Sequence, residues 1–195
     1  GAVFLSQFPS FAKEVLHGDS QVATLLLVVF SIGIATGSLL CEVFSHRHVE
    51  IGLVPVGAIS MTVFSVDLYL ASSGLPTSAQ MGLSGFIAQA AHWRVMADLA
   101  LLSLFAGLYS VPMYALIQLR SQPTHRARII AANNILNALF MIGSSVIVGA
   151  LLSAGLTIPE VFLLTGLANA VVAAYIFLLV PEYLLRFVAW VASRI

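Results

Sequence analysis

Charge is what this sequence has least of. Lys and Arg number eight and Asp and Glu another eight in 195 residues, so 8% of the chain is charged, where a soluble domain carries about 25%. Such a composition cannot cover a protein surface in water, and a water-soluble fold is excluded. The formal net charge is zero, and no nucleic-acid partner is expected. Cysteine is reduced to Cys41, which rules out an internal disulfide and a multi-cysteine metal site. It lies in an apolar run and reads as a small buried residue. A signal peptide is missing too: there is no initial Met and no charged n-region. The chain opens GAVFLSQFPSF, inside an apolar stretch too short to span a bilayer, so the expectation is a fragment of a longer protein.

What the chain has in abundance is long apolar runs. Hydrophobic residues make up 60% of it, and the mean hydropathy is +1.03. About 20 apolar residues cross the hydrocarbon core of a bilayer as a helix. Residues 24–44, 51–71, 95–119, 129–154 and 161–180 approach or exceed that length, and 1–16 reads as the end of a truncated helix broken softly at Pro9. The fold class is therefore an all-α membrane protein with six transmembrane helices, the first truncated. Residues 182–195 are predicted to form an amphipathic interfacial helix, with Glu182, Arg186 and Ser193 on one face and Trp190 at headgroup depth. The uncharged stretch 72–92 reads either as an ordinary connection or as a short interfacial helix over MGLSGFIAQAA.

Basic residues sort by side. Arg47 lies in one short connection, Arg120, Arg126 and Arg128 in another, and Arg186 and Arg194 in the tail. The connections around 17–20, 72–91 and 154–159 contain no Lys or Arg. By the positive-inside rule the first set and the tail face the cytoplasm of an inner membrane. The exceptions, Lys13 and Arg94, have Glu14 and Asp98 beside them.

Polar groups inside the spans need a reason, because an ionised side chain at mid-membrane costs roughly 2.5–3.5 kcal/mol on insertion scales. Asp67, Arg94 and Asp98 can meet across one hairpin, as a neutralising ion cluster or as a contact for a coupling ion or headgroup. Asn133, Asn134 and Asn137 cluster in AANNILNALF. Asn133 and Asn137 share a face one turn apart, as interhelical glue or on a substrate path. Gln7 lies in the first helix. Tyr109, Ser110, Tyr114 and Gln118 surround Gly107 and Pro112, where a softened helix suits either packing or a cavity wall. Gly33 and Gly37 form a small-residue pair that permits close backbone approach.

The stretch GSLLCEVFSHRHVE, Gly37 to Glu50, resembles the loop motif of major facilitator superfamily transporters, with Gly37, Glu42 and Arg47 as its counterparts. Cys41 stands where that motif usually has its acid. Three further runs, FLSQFPSFAKEVLHG, GLYSVPMYALIQLRS and PTHRARIIAANNILNALFMI, are similar to the lysophospholipid transporter family of bacterial flippases. The resemblance covers essentially the whole chain. It implies the C-terminal half of a 12-helix bundle, helices seven to twelve, packing against a missing six-helix N-terminal half. It further implies movement of lyso-phosphatidylethanolamine-class lipid across the bacterial inner membrane by alternating access.

By that resemblance Gln7, Tyr109, Tyr114 and Gln118, with Asn133 and Asn137, become substrate-path candidates. Asp67 drops toward a structural role, and Arg120, Arg126 and Arg128 set topology or meet lipid phosphates. Some members are fused to an acyltransferase, and VPEYLLRFVAWVASRI resembles that junction. No H-x4-D catalytic pair is present, so the chain is not expected to be an enzyme itself; no cofactor or metal is expected either. Two other readings share the same fold: an exporter of a small drug or metabolite, and a membrane platform for a fused phospholipid acyltransferase.

Overall fold

A computed structural model describes residues 2–45, 52–75, 79–180, 182, 183 and 187. All regular structure among them is helical. Helix α1, Ala2–Ser10, passes into a π-helical turn at Phe11–Val15; then follow α2 (Ser20–Ser45), α3 (Leu53–Ser73), the short α4 (Leu83–Ala88), α5 (Ala90–Arg120), α6 (Arg126–Ser153) and α7 (Ile158–Leu179). Five of these, α2, α3, α5, α6 and α7, are long and apolar enough to cross a membrane. The chain is an all-α, multi-pass membrane protein. Arg47 lies outside the described residues, as does most of the anticipated amphipathic tail.

Helix α5 is the centre. It packs along α2 on one side and α3 on the other, and α3 in turn packs along α7. Without a hydrophobic force between helices in lipid, close approach must come from small residues. At Gly37 a Cβ atom would fall 1.8 Å from the Leu104 carbonyl oxygen, and at Gly33 1.8 Å from Ser103 Oγ. The α2–α5 contact is thus backbone on backbone. Gly37 and Glu42 lie inside α2, which runs one residue past the predicted end at 44.

The α3–α7 seam combines a small residue with polar bonds. A Cβ on Gly166 would fall 2.4 Å from Ser65 Cβ, while Asn169 Nδ2 donates to the Ala58 carbonyl at 2.9 Å and to Thr62 Oγ1 at 3.0 Å. Helix α1 and the π-helical turn that follows it dock through Phe4, Phe8 and Phe11, spaced i, i+4, i+7 and buried. Phe4 and Phe11 meet Phe162 at ring separations of 4.6 and 5.1 Å, and Phe8 meets Phe30 at 5.3 Å. Helix α6 stands apart. Val148 is its one buried residue among those described, and it touches α1, α5 and α7 lightly.

The connections 16–19 and 79–89 meet at one end of the bundle. His17 adopts φ 50°, uncommon for a non-glycine residue, and its carbonyl accepts from Met81 N at 2.8 Å while Asp19 N donates to the Met81 carbonyl at 3.1 Å. Both connections are free of Lys and Arg. Residues 83–88 form a helix, shorter than the 81–91 reading, because Gln89 is extended at φ −93°, ψ 119° and starts α5 anew. Helix α5 therefore begins five residues before the predicted 95, and Arg94 and Asp98 sit inside it rather than opening it. It runs through Pro112 without a break.

Candidate functional site

Three polar gatherings among the described residues bear on function. The first is the ion cluster. Asp67 lies six residues from the end of α3, and Asp98 eight residues into α5, depths of about 9 and 12 Å at 1.5 Å per residue. Arg94 Nε donates to Asp67 Oδ2 at 3.3 Å, and its second guanidinium nitrogen bonds Asp67 Oδ1. The pair is partly open, with Arg94 and Asp67 side chains 55% and 35% exposed. Asp98, one turn beyond Arg94, is only 3% exposed, and its Oδ2 has no hydrogen-bond partner among the described residues. Above the cluster, the imidazole of buried His92 stacks on Phe86 at 4.2 Å, with Nδ1 3.0 Å from the Phe86 carbonyl oxygen. The Trp93 indole N–H donates to the Ile87 carbonyl at 2.9 Å.

The second place is a groove of about 590 Å³ bounded by Ala2 and Val3 of α1, Tyr114 of α5, and Asn137, Phe140, Met141 and Ser144 of α6. Asn137 Nδ2 donates to the Tyr114 hydroxyl at 3.1 Å. That hydroxyl keeps its own proton to donate, and the Asn137 carbonyl oxygen remains an acceptor. The remaining lining is largely apolar, so the groove offers a few donors and acceptors in a greasy wall. The third place, at the opposite end from the ion cluster, is a basic shelf of about 450 Å³ where Arg120, Ser121, Gln122, His125 and Arg128 come together. Arg126 is exposed but is not part of that lining.

Sequence candidates divide accordingly. Tyr114 and Asn137 meet in the groove. Gln118 shares the Tyr114 face one turn on and is exposed; Asn133, half-buried, lies one turn before Asn137. Gln7 follows Val3 by one turn, and its amide is 3.5 Å from Ser6 Oγ. Tyr109 points elsewhere: it packs with Val54, Met113 and Tyr183, and its Cβ is the atom that a side chain on Gly57 would strike. Five residues of helix turn by about 140°, so Tyr109 and Tyr114 cannot share a wall.

Sequence reasoning passed over Asn169, whose signal was a lone amide in an apolar helix. It also passed over the T-x-x-E signature at α7. There Thr157 Oγ1 accepts from Glu160 N at 3.4 Å and Glu160 Oε2 accepts from Thr157 N at 2.7 Å, a reciprocal cap. Asp19 similarly caps α2, accepting from Gln21 N at 2.9 Å and Val22 N at 3.1 Å.

These features define a helical multi-pass membrane protein with a polar-spotted groove and a partly buried ion cluster. No family model, curated protein or solved structure matches the chain.

Proposed function

We propose that this chain is the C-terminal six-helix half of a facilitator-type secondary transporter that moves lysophospholipid across a bacterial inner membrane by alternating access. The observation that carries this reading is the α1–α5–α6 groove. Its Tyr114–Asn137 pair supplies a headgroup-sized set of hydrogen-bonding groups, and Phe140 and Met141 supply an apolar wall for an acyl chain. A mostly apolar pocket with a few placed polar groups is the general form of a small-ligand site. The loosely packed α6 adds to it: an element with few internal contacts is free to shift against the bundle. The basic shelf, on the side assigned to the cytoplasm, suits a phosphate arriving at the inner leaflet.

Uptake of a fluorescent lyso-phosphatidylethanolamine by cells carrying the complete protein tests the reading. Uptake should exceed that of cells lacking the protein, and Asn137→Ala should reduce it several-fold without loss of expression. Equal uptake with and without the protein defeats the proposal. Failure of unlabelled lyso-phosphatidylethanolamine to compete would move the substrate to another chemical class.

A further inference from the structure

Asp98 has an orphaned oxygen at a place where water does not reach it. Its side chain is almost wholly buried and Oδ2 has no partner among the described residues, although buried carboxylates are ordinarily satisfied. Asp67 is its neighbouring carboxylate across the α3–α5 contact, yet two ionised carboxylates have no hydrogen to share between them. Among the described residues, the charged groups facing Asp98 are few. They are Asp67 on α3 and Arg94 on its own helix; α2, packed along the other side of α5, carries no titratable side chain from Ser20 to Leu40, and α4 carries none at all.

Two carboxylates and one guanidinium leave one uncompensated negative charge. Arg94 is already committed to Asp67 through two bonds. A single hydrogen ion held between Asp98 and Asp67 makes the set neutral, and each Asp67 oxygen has a lone pair beyond the one used by Arg94 with which to accept it.

We infer that Asp67, Arg94 and Asp98 form a proton-binding site, in which one exchangeable proton is held on buried Asp98 and bridges to Asp67. The route out of the bundle runs through Asp67, which is partly exposed where Asp98 is not. When the proton leaves, Arg94 must serve two carboxylates, and the junction of α3 with α5 has to adjust. The site stands on its own geometry and does not depend on the identity of any transported molecule.

Infrared difference spectroscopy on the protein in lipid nanodiscs reads this directly, through the carbonyl stretch of a protonated carboxylic acid. At neutral pH the parent protein should show one such band, sensitive to deuterium exchange. Asp98→Asn, nearly the same shape, should abolish it. Asp67→Asn should also abolish it at neutral pH, because Arg94 is then released to pair with Asp98. Absence of the band in the parent, or its survival in Asp98→Asn, overturns the proposal. Survival in Asp67→Asn would mean that burial alone holds the proton, and would overturn the shared site. Either variant decides the matter if the other fails to fold.

Discussion

Replacing Gly37 by alanine adds one methyl group at the tightest point of the bundle. The new Cβ would sit 1.8 Å from the Leu104 carbonyl oxygen, whereas ordinary contact begins at 3.4 Å. The difference, about 1.6 Å, must come from the two helix axes, because Leu104 O is backbone and cannot rotate away. Overfilling a packed interface costs about 1–3 kcal/mol, which corresponds to a drop in unfolding midpoint of roughly 2–12 °C for a chain of this size.

The protein carries its own reporter. Cys41, the sole cysteine, lies one turn further along α2, 3% exposed between Leu53 and Leu108. A thiol-reactive fluorophore applied during a thermal ramp in detergent should label Cys41 at a lower temperature in Gly37→Ala than in the parent. Gly143→Ala on α6, where an added Cβ meets nothing within 4 Å, should label at the parent's temperature. Equal labelling curves for Gly37→Ala and Gly143→Ala would refute the account of α2 and α5 as touching backbone to backbone.

Asn169→Leu removes both amide bonds across the α3–α7 seam, and thermal unfolding should show a loss of about 0.6–2 kcal/mol. Thr157→Ala breaks the reciprocal cap of α7 and should cost about 0.5–2 kcal/mol; Glu160→Gln, which keeps an acceptor, should cost less in the same assay. A double-mutant cycle of Tyr114→Phe and Asn137→Ala should return a coupling of about 0.6 kcal/mol, and zero coupling would dissolve the link between α5 and α6. A cysteine at Thr124 in a Cys41→Ser background should resist membrane-impermeant reagents applied to intact cells, while one at Gln80 should react. The reverse would invert the assigned orientation.

Hydropathy was enough to locate the spanning helices because crossing lipid demands a run of apolar residues and satisfied backbone bonds. Those demands act on a single segment at a time, so they are written locally. Five predicted spans agree with α2, α3, α5, α6 and α7 to within a few residues at most ends, and the boundary that moved furthest, at Ala90, was set by the extended Gln89 rather than by apolar content. The candidate site was legible only as an inventory. Asp67, Arg94 and Asp98 were visible as charges out of place, and Asn137 as an amide in an apolar helix.

Which of them meet, and on what terms, depended on helix pairing. Asp67 is held by Arg94 and partly exposed, and Asp98 is shut away with an oxygen unmatched among the described residues, yet residue type is the same at both positions. Tyr109 and Tyr114, equally plausible on one helix, were sent to different neighbours by the rotation of α5 between α2 and α3. The sequence by itself determined that the chain is a set of membrane-crossing helices and which residues are too polar to sit there unpaired. The tertiary structure alone decided the partners, because pairing between helices in lipid turns on where small side chains allow two backbones to touch, and that is a property of two surfaces rather than of one segment.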